Sequence, residues 1–346
     1  MKSKQHIFAV DSHTMGEPTR VVISGIIHIL GSTMNEKREY LESNFDHIRT
    51  ALMHEPRGHN DMFGAIILEP TDPRADFGIV FMDSSGYLNM CGHGIIGAVT
   101  VALELGLLEG VEPITKVTLD TPAGLVFATA QLEGEVVRSV TVENVPSFLY
   151  CEGVKVNIPR AGSIPVSVAF GGNFFALVAS VDVGLEILPE NAGKLVEIGM
   201  QILNQVNKQV EVIHPTKRHF RSINLVEFHE PARGQNADGR NVVIFGSGSF
   251  DRSPCGTGTC ARMAALFAKG RLALGQSFVH ESIIGTTFTG RLIRKTMIGD
   301  VQAVIPEISG QAFITGIQQF VINPDDPLKY GFIVGSPYNV NKGKGL

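Results

Sequence analysis

The chain has 346 residues, 44% of them apolar and 18% charged, with a net charge of −5. At roughly 150 residues per domain this length suggests two domains with sizeable cores, and the lack of any Lys/Arg block argues against a nucleic-acid partner. No apolar run nears the ~20 residues of a membrane span, and the apolar stretch in MKSKQHIFAVDSH is too short for a secretion signal, so a soluble, cytoplasmic protein with reduced thiols is expected.

Taken in chain order, most apolar segments are short and β-like. KQHIFAVDSH and TRVVISGIIHIL come first. An amphipathic helix is predicted over NEKREYLESNFDHIRTALMHEP, ending before a proline. FGAIILEP and DFGIVFMD read as strands, followed by the apolar helix GIIGAVTVALELGLL behind Cys91. KVTLDTPAGLVFATAQ, EVVRSVTVENV and SIPVSVAF continue the strand pattern. The second half repeats the style with FFALVASVDV, a helix over 191–209, QVEVIHP, SINLVEFHE and NVVIFGSG. A second apolar helix, CARMAALFAKGRLAL, lies behind Cys255, and TTFTGRLIRKTMIG, VQAVIPEIS and FVINP close the pattern. The two apolar helices are predicted to be buried on most faces. The 38 glycines are spread along the chain and imply many turns and close backbone approaches.

The apolar helices look like copies of one another. In CGHGIIGAVTVALELGLL and CGTGTCARMAALFAKGRL the Cys, the next Gly and the Gly two further on coincide, as do Gly106 with Gly270 and Leu108 with Leu272. The offset is 164 residues, about half the chain. An internal duplication is the simplest reading: two similar α/β domains, each wrapping a mainly antiparallel sheet around one buried helix.

GHGIIG also matches the dinucleotide fingerprint G-x-G-x-x-G. That motif needs a parallel strand before it and an acidic strand end about 20 residues later. Here Glu109 and Glu112 fall in a loop-like EGVEP, and the motif does not account for a Cys before the turn in both copies. A helix start accounts for both. Its free N–H groups and partial positive charge suit a carboxylate ligand, and they lower the pKa of a thiol from ~8.5 toward neutrality. Two such starts, one from each domain, would place a carboxylate between two thiols. One thiolate would take an α-proton while the other thiol delivers one to the opposite face. Cys151 and Cys260 read as inert buried thiols, and Cys255-x4-Cys260 is not a usual zinc spacing.

MCGHGIIGAVT and DRSPCGTGTCARMA resemble the two signature motifs of the proline racemase family. DSHTMGEPTRVV, EPRGHNDMFGA, FGGNFFALV, NVVIFGSG and DPLKYGFIVG extend the resemblance over nearly the whole chain. The resemblance implies a diaminopimelate-epimerase-like α/β (α+β) fold of two pseudo-symmetric domains with the active site in the cleft. It implies a first domain over 1–162 with the tail 312–346 returning to it, and a second over 163–311. No pyridoxal phosphate, other cofactor or metal is implied. Cys91 and Cys255 match the paired catalytic thiols. Gly92, His93, Gly256 and Thr257 match positions that hold the substrate carboxylate. Asp251 matches the aspartate that meets the ring nitrogen, and Phe63 and Phe245 match the apolar walls. Many relatives carry Ser where this chain has Cys260. Both thiols are present, which favours a racemase or epimerase over trans-3-hydroxyproline dehydratases, in which one cysteine is typically replaced. Phe walls would leave a 4-hydroxyl unpaired at ~1–3 kcal/mol. Proline is therefore the first reading, with 4-hydroxyproline 2-epimerase as the alternative and a non-catalytic amino-acid-binding protein behind it. Relatives imply a homodimer acting on a small molecule.

Overall fold

The structure is a computed structural model that describes residues 4–159, 162–218, 220–246 and 248–334. Strands β1 (Gln5–Thr14) and β2 (Glu17–Ser24) form a hairpin that leads to helices α1 (Met34–Asn44) and α2 (Asp46–Met53). Then β3 (Phe63–Leu68), β4 (Phe77–Asp83) and short β5 (Tyr87–Leu88) run into α3 (Gly92–Glu104). The strands β6 (Ile114–Thr121), β7 (Gly124–Glu133), β8 (Val136–Glu143) and β9 (Phe148–Ile158) follow. The second run holds β10 (Gly162–Phe170), β11 (Phe174–Ala179), α4 (Ala192–Gln209), β12 (Ile223–Glu230), β13 (Gly239–Phe245) and β14 (Ser249–Asp251). It continues through α5 (Gly256–Ala268), β15 (Ser277–Glu281), β16 (Thr287–Ile298), β17 (Val301–Gly310) and β18 (Ala312–Ile322).

The pairing pattern repeats with a period of nine strands. In the first run β2 is parallel to β3, β3 antiparallel to β4, β4 parallel to β6, and β6, β7 and β8 form a meander. In the second, β11 is parallel to β12, β12 antiparallel to β13, β13 parallel to β15, and β15, β16 and β17 form the meander. The ninth strands are exchanged: β9 pairs antiparallel with β10, and β18 pairs antiparallel with β1. Past β18 the chain stays on the first run, where the Phe332 N–H donates to the Glu55 carbonyl at 2.9 Å. The remainder of the tail expected to return, 335–346, lies outside the described residues. β8 and β17 pair antiparallel and join the halves into one sheet.

Each half of the sheet is covered on both faces, and alternation along the strands sorts the contacts. Val10, Val21, Ala65, Ile79 and Phe81 turn inward to α3, while Ile7, Ala9, Val22, Ile66, Val80 and Met82 pack on α1 and α2. In the second half Ala169, Phe175, Leu177 and Val243 face Ala261 and Ala265 of α5, while Phe170, Phe174, Val226, Phe228 and Ile244 face Leu195, Ile202 and Val206 of α4. Every α3 residue from His93 to Leu103 is buried, as a helix with apolar residues on all sides requires. Each fully buried Val, Leu or Ile there contributes roughly 1.5–3 kcal/mol.

Local structure differs from the sequence expectations in several places, the short strands β5, β14 and β15 and the split of KVTLDTPAGLVFATAQ into β6 and β7 among them. The predicted helix over 35–56 breaks at Phe45, whose φ of −128° and ψ of 12° leave the helical region, and it restarts with Asp46. Val212 and His214 of QVEVIHP are buried, yet 210–215 forms no strand. The IIHIL end of TRVVISGIIHIL leaves the sheet after Ser24. Strand β9, FLYCEGVKVNI, has no counterpart among the predicted strands. Among the described residues no helix is long and apolar enough to cross a membrane.

Candidate active site

The turns β5–α3 and β14–α5 occupy equivalent places in the two runs, and each ends on a cysteine. Cys91 is the N-cap of α3 and Cys255 the N-cap of α5. The two helix starts meet: a methyl built on Gly92 would lie 3.5 Å from the Gly256 Cα, and one on Gly256 3.4 Å from the Gly92 Cα. A Cβ at either position would thus be in van der Waals contact with the facing backbone, which measures how closely the two helix starts approach. The gap beside them, lined by Met90, Gly92, Gly256, Thr257 and Cys260, measures about 10 Å³. A cavity of about 910 Å³ opens elsewhere, among Ser180, Glu186, His229, Arg233, Arg262 and His280, and none of the predicted site residues lines it.

On the first side, Cys91 is half-buried and its Sγ lies 3.2 Å from His93 Nδ1. The buried His93 ring sits 4.3 Å from the Phe63 ring, and its carbonyl accepts the Thr14 hydroxyl at 2.9 Å. On the second side, Cys255 is buried with φ +56° and ψ 109°, a sparsely populated region for a non-glycine residue. Its Sγ lies 3.8 Å from the Thr257 hydroxyl, and its N–H donates to Ser253 Oγ at 3.2 Å. Asp251 Oδ1 accepts from the Ser253 N–H and hydroxyl at 2.8 and 2.7 Å, which fixes that turn. Phe245 is half-buried at the end of β13 and packs on the cluster that holds Cys255. The predicted residues thus gather around two abutting helix starts, with Phe63 on the Cys91 side and Phe245 on the Cys255 side.

The thiols depart from the sequence expectation in one respect. Burial pushes both well above the ordinary cysteine range. The Gly94 and His93 N–H groups pull Cys91 back, and the Gly258 N–H and Thr257 hydroxyl pull Cys255 back. The helix start acts with the predicted sign, but desolvation outweighs it. The charge of Asp251 raises both thiols further. His93 is lowered, by burial above all, and so tends to the neutral form.

Four neighbours carry no role in the sequence reading. Glu17 is fully buried, raised by burial first and by Asp251 second, and accepts the Arg252 N–H at 2.7 Å. The Arg252 guanidinium reaches Asp61 at 2.8 Å, so residues of the first run clamp the turn that carries Asp251. Glu227 lies under α5, where a methyl on Gly258 would meet its Oε2 at 2.7 Å. Glu17 stands within GEPTRVV, so that motif points at it; Glu227 is one carboxylate in a strand-like SINLVEFHE and carries no such signal.

The proline racemase family model matches residues 9–333. The chain is 50% identical over 334 residues to a proline racemase of Clostridioides difficile, covering 96% of this chain and 100% of that one. It is 45% identical to a 4-hydroxyproline 2-epimerase of Streptosporangium roseum over 335 residues, covering 96% and 100%. Among solved structures it resembles a hydroxyproline epimerase from Agrobacterium vitis with bound trans-4-hydroxy-L-proline, with a TM-score of 0.89, 35% identity and coverage of 98% and 99%. The α/β fold is therefore the diaminopimelate-epimerase-like one expected, and the chain belongs to the proline racemase family.

Proposed function

We propose that this chain is a proline racemase that works without a cofactor through Cys91 and Cys255. The observation that carries the reading is the meeting of two equivalent helix starts, each capped by a cysteine. The two runs, 1–162 with the returning tail and 163–311, act as the two lobes, with β9 and β18 exchanged between them. The substrate carboxylate takes the N–H groups of Gly92, His93, Gly256 and Thr257, where helix starts favour an anion. The ring ammonium lies against Asp251, and Phe63 and Phe245 wall the ring. Placing the ammonium there offsets the charge that raises both thiols. One thiolate takes the Cα hydrogen and becomes a thiol. The opposite thiol gives its proton to the other face and becomes the thiolate, so the two cysteines exchange roles at each turnover. The enzyme is a cytoplasmic homodimer, for which light scattering should read twice the mass of the chain.

Epimerisation of 4-hydroxyproline is the second reading, supported by the 45% identity to a 4-hydroxyproline 2-epimerase. The buried Phe63 offers a 4-hydroxyl no partner, and an unpaired hydroxyl costs ~1–3 kcal/mol. Chiral chromatography of incubations with L-proline, trans-4-hydroxy-L-proline and trans-3-hydroxy-L-proline separates these readings. D-Proline should form fastest. Faster turnover of the 4-hydroxy substrate would move the assignment to the epimerase, and loss of water from the 3-hydroxy substrate would move it to a dehydratase.

A further inference from the structure

One side chain beneath the site is not required by the packing that surrounds it. Glu227 is 0% exposed; among the described residues neither carboxyl oxygen has a partner at full hydrogen-bonding geometry, and the Asn241 side chain offsets its burial only in part. A buried carboxyl so weakly partnered is costly, and the fold contains an alternative. Glu227 stands opposite Val243 on the face of its sheet that meets α5. The equivalent pair in the first run is Ala65 opposite Phe81, facing α3. A methyl on Gly94 of α3 would meet the Phe81 and Phe63 rings at 2.9 Å. A methyl on the matching Gly258 of α5 would meet Glu227 Oε2 at 2.7 Å, Val243 at 3.1 Å and Cys255 Sγ at 3.2 Å. One niche is filled by aromatic carbon, the other by a carboxyl. That carboxyl and the Cys255 thiol border the same point.

We propose that Glu227 is a positioning residue for Cys255: its carboxyl, set beneath the first turn of α5, controls the proton on that thiol, whereas the matching niche under α3 is bordered by the Phe63 and Phe81 rings. The inference rests on the two-thiol reading above. The groups that face Glu227 are Arg262, Cys255 and Cys260 on α5 and Asn241 on β13; Leu177 is its partner on β11. Burial raises the carboxyl to about 8, against smaller opposing effects of Arg262 and Asn241. Below that pH Glu227 is a neutral acid and adds no charge beside the thiol. Above it, the carboxylate raises Cys255 and opposes thiolate formation. Cys91 carries no such dependence on Glu227, because its own partners are His93, Asp251 and Glu17.

The test is alkylation of the intact protein by iodoacetamide across pH 6–10, with Cys91 and Cys255 peptides quantified separately by mass spectrometry. Wild type is compared with Glu227→Gln, which keeps the shape and removes the ionisation. The Cys255 rates of the two proteins should coincide below about pH 8. Above it the variant should react faster, by roughly tenfold for each pH unit by which the thiol is released. The Cys91 profiles should superimpose throughout. Superimposed Cys255 profiles would overturn the proposal, as would an equal shift at both thiols. Glu227→Ala, the residue found at the equivalent position 65, serves if the Gln protein does not fold, and misfolding of both would assign Glu227 to the core and overturn it too. The readout needs no substrate, so an error in the choice of proline would leave it standing. Equal, substrate-insensitive reactivity of both thiols would instead count against the two-thiol reading itself.

Discussion

The two halves of the molecule share a strand order, a central apolar helix and a cysteine at its start, yet the two thiols are held differently. Cys91 has extended backbone, a histidine 3.2 Å from its sulfur and aromatic rings below its helix. Cys255 has a positive φ, a hydroxyl at 3.8 Å and a buried carboxyl below its helix. Duplication accounts for the symmetry of the frame. On the two-thiol proposal the asymmetry has a chemical reason: such an enzyme must hold one thiolate and one thiol at once, and neighbours that differ let two like groups be poised apart.

The comparison breaks most sharply if either thiol is removed. Cys91→Ser and Cys255→Ser should each lower racemisation by several orders of magnitude, since a hydroxyl is a far poorer base at neutral pH. A chiral assay that found either variant near wild-type activity would end the two-thiol account. The link between halves comes next. Arg252→Met removes the 2.8 Å pair with Asp61 and the cation beside buried Glu17. It should destabilise by about 2 kcal/mol in urea titrations, less than a fully buried pair because Arg252 is partly exposed.

Packing under the two helices sharpens the contrast further. Gly94→Ala and Gly258→Ala both overpack, and each should destabilise by about 1–3 kcal/mol. Only the second should recover when combined with Glu227→Ala, which a thermal denaturation series reads directly. Stability against pH reads the same carboxyl. The folded Glu227 titrates at about 8 against an ordinary 4.5, so its neutral form favours the fold. Its stabilising share is full below the ordinary value and lost as pH rises through about 8. Wild type should therefore lose Tm relative to Glu227→Gln over that window, at roughly 2–4 °C per kcal/mol. Glu17, raised in the same direction, is common to both proteins and cancels. The smallest effect belongs to Cys151→Ser, on the half-buried β9, which should change stability by about 0.5 kcal/mol or less and spare activity.

Much of this is legible in the sequence because duplication leaves a signal that does not depend on propensity. The coincidence of Cys91-Gly92-x-Gly94 with Cys255-Gly256-x-Gly258 is enough by itself to locate both helix starts. Strands with strong β-branched runs, such as those of β3, β4 and β13, are equally plain. What escapes leaves no periodic signal of its own. β9 is broken by Gly153 and carries charges at Glu152 and Lys155, and it is held in place by β10, which follows it. The break at Phe45 sits inside an unbroken amphipathic pattern. Glu227 shows its character only when Gly258, Val243 and Cys255 are brought against it. The thiols keep the predicted contribution from the helix start but not the predicted net direction, because burial is set by the meeting of two halves that lie 164 residues apart.

The central claim is that Cys91 and Cys255 serve opposite faces of one carbon, and isotope exchange in D2O tests it most directly. With L-proline as substrate, early-time mass spectrometry after chiral separation should find solvent deuterium at Cα of the D-proline formed. The remaining L-proline should have exchanged much less, because each thiol holds its proton through a turnover. D-Proline that kept its original hydrogen would mean that one base carries the proton across, and the paired-thiol account would be contradicted.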